Sequence, residues 1–395
     1  MPLDARIRSI IKRGVVIPAH PLALTEQGKF DERRQRALSR YYLAAGAGGL
    51  ALGVHTTQFE IRKPEIGLFE PVLALAAEEM DRADASRSQS SSSSSSSSSS
   101  ISCSREPVVR IGGICGRTRQ AVREAELLRT LRYHAGLLSL GALAKADDDA
   151  LLKHCRSVAK VIPLVGFYLQ PAAGGRVLSH AFWRRFCEIP NVAAIKIAPF
   201  NRYRTFDVIR AVAEAGRDDI ALYTGNDDHI VLDLLTPFPV PVNGRTVVRR
   251  FVGGLLGHWA VWTRKAVELL EECHRLAATN AGIPDDMLRR GVEVTDCNAA
   301  VFDAAHAYAG CIPGIHHVLK SQGLLASTRC LGPDVLSPGQ KEEIARVKRC
   351  YPHLCDDDFV RAHLDEWLRA SNTMSGGSGI LACPGRTGMS AQPSC

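Results

Sequence analysis

From residue 14 to residue 260 one pattern recurs eight times: a short apolar run, a loop, then a stretch with apolar residues at helical spacing. The runs are Gly14–Ala19, Gly49–Val54, Val108–Gly113, Ala135–Leu140, Ile162–Tyr168, Val192–Ile197, Ile220–Tyr223 and Phe251–Leu256. Continuous rather than alternating apolar runs point to strands buried on both faces, as in a parallel sheet covered by helices. Plausible caps such as Thr118 and Ser179 open several of the intervening helices. Eight strand–helix repeats over about 250 residues match the count and size of a (β/α)8 TIM barrel. An open doubly wound sheet is the rival, but no GxGxxG follows the first run.

Two stretches break the rhythm. Residues 86–104 contain an unbroken serine run from Ser90 to Ser100, and residues 371–395 are rich in Gly and Ser. Neither can bury apolar surface, so both read as disordered. The serine insert joins a helix to the next strand, which puts it on the barrel face opposite an active site. Residues 278–370 read as helical, so the expected architecture is a barrel over 1–277 with a C-terminal helical extension.

Composition excludes several classes. The chain has no run of eighteen apolar residues, and its start, MPLDARIRSIIKRG, lacks the apolar core of a secretory signal. Twelve scattered cysteines without a CxxC pair suggest free thiols in a cytoplasmic protein, with neither a zinc site nor a disulfide framework. The net charge of +8 comes from dispersed arginines without interleaved aromatics, which disfavours nucleic acid as a partner. A mild positive field suits an anionic small molecule.

Chemistry is expected at the strand ends. Lys196 stands inside the run NVAAIKIAPF. An unpaired buried ammonium tends to lose its proton, and a neutral amine is a nucleophile. The alternative is a lysine whose tip reaches water. Tyr168 closes the fifth run, one repeat earlier at 28 residues, so a phenol beside the amine is a candidate proton relay. Its alternative is a core tyrosine bonded to backbone. Thr56 and Thr57 follow the second run, where hydroxyls suit a carboxylate. Gly225 lies in the loop Thr224–His229 and is a further candidate for the substrate site. One of the two carboxylates after it is read as a helix cap. Arg202, just past the lysine run, is a candidate for a second anionic group on the substrate; a solvent-facing helix start is equally open.

The Tyr-x-x-Pro of Tyr168–Pro171, the strand lysine of AIKIAPF, the paired threonines and the turn in GGLLGHWA resemble the dihydrodipicolinate synthase and N-acetylneuraminate lyase superfamily over residues 10–275. The resemblance implies a class I aldolase: Lys196 forming an imine with a pyruvate-like 2-oxo acid, Tyr168 relaying protons, and Thr56 and Thr57 facing the carboxylate. The expected reaction is aldol cleavage or condensation with an aldehyde. A dehydratase acting on a 3-deoxy-2-oxo sugar acid would use the same lysine, and an inactive barrel serving as a binding protein is the rival class. No cofactor or metal is called for, and the expected assembly is a homo-oligomer, dimer or tetramer.

Overall fold

A computed structural model describes residues 2–89, 106–279 and 282–369. Its strands are β1 (Val16–Pro18), β2 (Gly49–Leu52), β3 (Val109–Ile114), β4 (Ala135–Leu138), β5 (Leu164–Leu169), β6 (Val192–Ala198), β7 (Ala221–Thr224), β8 (Phe238–Val242), β9 (Arg245–Arg249) and β10 (Phe251–Leu256). All but β8 and β9 form one parallel sheet, in the order β1-β10-β7-β6-β5-β4-β3-β2. The two ends of that order meet. Ala19 bridges Ala51 in parallel register, and the amide of His20 donates to the carbonyl of Ala51 at 2.9 Å. The sheet is therefore a closed (β/α)8 barrel, as the eightfold repeat predicts.

The helices of the barrel are α1 (Ala5–Arg13), α2 (Glu32–Ala44), α3 (Phe69–Gln89), α4 (Thr118–Thr130), α5 (Asp148–Ala159), α6 (His180–Phe186), α7 (Arg202–Glu214), α8 (Ile230–Leu235) and α9 (Thr263–Thr279). The extension contributes α10 (Asp285–Phe302), α11 (Cys311–Ser321), α12 (Gln340–Cys350) and α13 (Asp357–Trp367). α3 runs through Gln89, a few residues into the stretch read as an insert; the serine run and the 371–395 tail lie outside the described residues. Ser179 caps α6 through the amide of Phe182, as expected, whereas Thr118 is the first residue of α4 and its hydroxyl meets Nδ1 of His154 at 2.9 Å.

Strand alternation sorts the wall into two apolar layers. On β6, Ile195 and Ile197 join the layer beneath the helices, while Ala194 and Ala198 face the lumen with Val165 and Phe167 of β5. The N-terminal end of the lumen is plugged by α1, whose Ile7, Ile10 and Ile11 pack on the lumen residues. Asp4 caps this helix through the amides of Arg6 and Ile7, and the hydroxyl of Tyr223 donates to the carbonyl of Ile11 at 3.0 Å. The segment Phe238–Arg249, left without an element in the sequence pattern, forms the antiparallel hairpin β8–β9. Pro239 and Pro241 hide it from pattern reading, yet a two-stranded ribbon made of edges tolerates proline.

The extension is held to the barrel by polar as well as apolar contacts. Buried Asp356 accepts from the hydroxyl of Tyr41 at 2.7 Å and from the amide of Arg264 at 3.1 Å. Removing the plug contact gives a direct check of the fold. Ile10→Ala deletes a fully buried side chain and is expected to lower unfolding free energy by about 2–5 kcal/mol, read as a fall in the urea midpoint at unchanged slope.

Candidate active site

A cavity of about 240 Å³ opens at the C-terminal ends of the strands, where a barrel of this type places its chemistry. Lys196 of β6 stands in its wall, 8% exposed. Its Nζ lies 4.7 Å from the ring centre of Phe167, and among the described residues no carboxylate comes within 4.0 Å of it. Burial pushes the ammonium pKa well below the ordinary lysine range, and the charge of Asp227 opposes that shift in part. The aromatic face offers the cation some compensation but leaves it largely desolvated.

Gly225 lets the lysine occupy this position. A Cβ there would lie 2.7 Å from Lys196 Cε and 2.8 Å from the methyl of Ala198. The loop that carries Gly225 is fixed at both ends. The Gly225 amide donates to the carbonyl of Ile197 at 2.8 Å, and the side chain of Asn226 accepts from the amide of Phe200 at 3.1 Å.

Asp227, next along this loop, is the acidic partner that the sequence pattern missed. It is buried, and its Oδ1 accepts from the amide of His258 at 2.8 Å. Burial raises its pKa, while the His258 amide and the charge of Lys196 pull the other way. Neither it nor Asp228 caps α8: the cap position is His229, without a side-chain bond. The cap reading is corrected accordingly. His55, which follows β2, also lines the cavity, and burial and the nearby lysine charge lower its pKa, favouring the neutral imidazole.

Of the residues singled out in the sequence, Lys196, Thr56 and Gly225 line this cavity. Thr57 does not. Its hydroxyl donates to the carbonyl of His20 at 2.7 Å and accepts from the amide of Val54, so it serves the loop itself. Arg202 is also absent from the lining. It pairs with buried Asp233 at 2.5 Å, and Asp233 accepts from Thr224 and Asn226 as well. This network ties the ends of β6 and β7 together and gives the guanidinium a structural partner in place of a substrate.

Tyr168 requires the clearest correction. Its ring packs on Trp183 beneath the helices, and its hydroxyl donates to the carbonyl of Leu178 at 3.0 Å while accepting from the amide of the same residue at 3.2 Å. The reason is one residue of register. Leu164 pairs with Val192, 28 residues on, but the ladder then slips and Val165 pairs with Ala194, 29 residues on. Beyond the slip Phe167, not Tyr168, stands opposite Lys196. A one-residue slip turns every later side chain to the other face.

Among the described residues no group of three or more His, Cys, Asp or Glu is gathered to hold a metal ion, and no helix is long and apolar enough to cross a membrane.

The fold and site define a class: a barrel with a desolvated lysine on its sixth wall strand and an acidic group in the same cavity. Comparison with known proteins agrees on the fold. No family model matches the sequence. A 4-hydroxy-tetrahydrodipicolinate synthase of Acaryochloris marina is 28% identical over 178 residues, covering 42% of this chain and 58% of the relative; one of Thiobacillus denitrificans is 29% identical over 125 residues, covering 31% and 40%. The chain thus spans roughly two fifths to three fifths of the length of these curated relatives. Among solved structures, the dihydrodipicolinate synthase of Acinetobacter baumannii, complexed with pyruvate, superposes with a TM-score of 0.64 at 16% identity, covering 85% of this chain and 98% of that one. The N-acetylneuraminate lyase of Fusobacterium nucleatum gives 0.62 at 14% identity, covering 86% and 98%. The chain has the fold of dihydrodipicolinate synthase and N-acetylneuraminate lyase, the fold that the resemblance implies.

Two substitutions check this geometry. Gly225→Ala is expected to fold while displacing the amine, so that carbonyl reagents modify Lys196 more slowly than in the unaltered protein; equal modification rates would show that the lysine does not need the gap. Tyr168→Phe should lower stability by about 1–3 kcal/mol, the cost of leaving the buried Leu178 amide unpaired, and leave Lys196 reactivity unchanged. Chemical denaturation and lysine modification separate the two effects.

Proposed function

We propose that this protein is a lyase that forms an imine between Lys196 and a pyruvate-like 2-oxo acid, for aldol cleavage or condensation with an aldehyde. The observation that carries the reading is the lysine itself: buried in the mouth of the barrel, without an ion pair among the described residues, and held below its ordinary pKa. An amine in that state attacks carbonyl carbon near neutral pH. The likeness to the lyase and synthase structures supports the reaction class.

In this reading the neutral amine adds to C2 of the 2-oxo acid, and water leaves to give an iminium. The iminium withdraws electrons from C3, so that a C3 proton or the C3–C4 bond can be lost to give an enamine. Asp227, whose burial raises its pKa, lines the same cavity and would act on the amine through its charge. Thr56 and the Gly225 loop border the space where the substrate carboxylate would sit.

Incubation with pyruvate and borohydride is expected to inactivate the protein irreversibly, with one reduced adduct on Lys196. Lys196→Arg should abolish labelling while preserving the fold, because arginine keeps the charge but does not release its proton. Labelling elsewhere, or none, would refute the imine reading and favour a binding protein on the same barrel.

The pH dependence has a definite sign. Labelling should rise with pH and level off below the ~10.4 of an ordinary lysine. The Asp227 carboxylate raises the lysine pKa, so Asp227→Asn should move the inflection further to lower pH. A rate profile with its inflection at the ordinary lysine value in both proteins would contradict the burial argument.

A further inference from the structure

The barrel wall offers Lys196 a phenylalanine where a phenol was expected, which leaves open which group handles protons once the imine forms. The chain has eight tyrosines. Tyr41, Tyr42, Tyr133, Tyr168, Tyr223 and Tyr351 each commit the hydroxyl to an internal hydrogen bond. Tyr203 lies 85% exposed on the surface. Tyr308, from the C-terminal extension, lines the cavity that holds Lys196, and among the described residues no hydrogen bond claims its hydroxyl.

The backbone that presents Tyr308 is unusual. Asp303, Ala307 and Tyr308 all lie in the left-handed region, with φ of 60°, 52° and 69°. Such residues persist only where surrounding contacts over-determine them, and they gather at functional sites. Here the contacts converge on the turn. Buried Asp303 accepts from the Gly310 amide at 2.9 Å, from Nδ1 of His306 at 2.6 Å and from the Ser337 hydroxyl. Its carbonyl accepts from the Tyr308 amide at 3.0 Å, and Gln340 of α12 donates to the carbonyl of Gly310 at 2.9 Å. The ring itself stands edge-on to Phe200 at 5.8 Å, at the end of the lysine strand.

We infer that Tyr308 is the catalytic phenol of this site, delivered by the helical extension. The inference rests on the imine reading of Lys196. When the amine has added to C2, the neutral carbinolamine must lose its hydroxyl. The Tyr308 O–H gives its proton to that oxygen, water leaves, and an iminium and a phenolate remain. The phenolate then takes a proton from C3, the C–H electrons form the enamine double bond, the iminium nitrogen becomes neutral, and the phenol is restored. Burial and the charges of Asp228, Asp227 and Cys311 raise the pKa of the phenol and favour its protonated form at rest.

Pyruvate alone serves as the probe. In deuterium oxide the unaltered protein should exchange the C3 hydrogens of pyruvate, followed by proton NMR, and borohydride should label Lys196. Tyr308→Phe is expected to keep the Lys196 label on long incubation and to slow C3 exchange by about 10²–10⁴-fold. Exchange at the unaltered rate in Tyr308→Phe with Lys196 still labelled would overturn the role of Tyr308. An unaltered protein that takes no label would instead overturn the imine reading on which it rests. Should Tyr308→Phe fold poorly, a fluorinated tyrosine placed at 308 lowers the phenol pKa without removing the hydroxyl. A shift of the exchange pH profile to lower pH then supports the role, and an unshifted profile refutes it.

Discussion

Everything at the top of this barrel follows from keeping one amine out of water. An ammonium taken from solvent without a partner loses several kcal/mol of hydration, and the protein accommodates Lys196 by lowering its pKa rather than by pairing it. Each neighbour contributes to that balance. Phe167 supplies a polarisable face, Gly225 supplies room, and Asp227 stands near enough to moderate the shift without closing an ion pair within 4.0 Å. A closer carboxylate would hold the amine charged and unreactive. A wholly apolar cavity would lower the pKa of the amine further, since nothing would oppose the cost of burial.

The loops around the amine show how a scaffold holds such an arrangement. Asn226 and Asp233 are buried polar residues whose partners lie on the strand ends they connect, and Arg202 completes their network from the start of α7. Satisfied buried networks of this kind fix geometry more than they add stability. Asp227 is held by the backbone amide of His258, on the eighth wall strand's loop. The site is thereby tied to three neighbouring strands, so its shape depends on closure of the barrel.

Much of this was legible in the sequence. The eightfold repeat gave the barrel because strand burial on both faces leaves a distinct apolar signature, and a lysine inside such a run announced itself by breaking it. Tyr168 was misread because spacing along the chain carries no information about a slipped register; the slip at Val165 is visible only as paired strands. Arg202 and Thr57 were misread because residue type cannot say which of two polar partners, a substrate or a neighbouring loop, will claim a side chain. Tyr308 left no local signal, since what brings it to the cavity is the packing of the extension across the barrel mouth, a contact between segments more than a hundred residues apart in sequence.

The helix that plugs the lumen also has a bearing on transport. With Ile7, Ile10 and Ile11 filling the lower end and Tyr223 tethered to the Ile11 carbonyl, the barrel is a blind vessel, not a conduit. Any small molecule that reaches the Lys196 cavity has to enter and leave by the rim at the C-terminal ends of the strands. Part of that rim is the turn at Asp303–Gly310, which belongs to the extension. The helices of the extension thus stand at the rim of this cavity, and any stiffening or loosening of their grip on the barrel would be felt as a change in how readily a small molecule enters or leaves it.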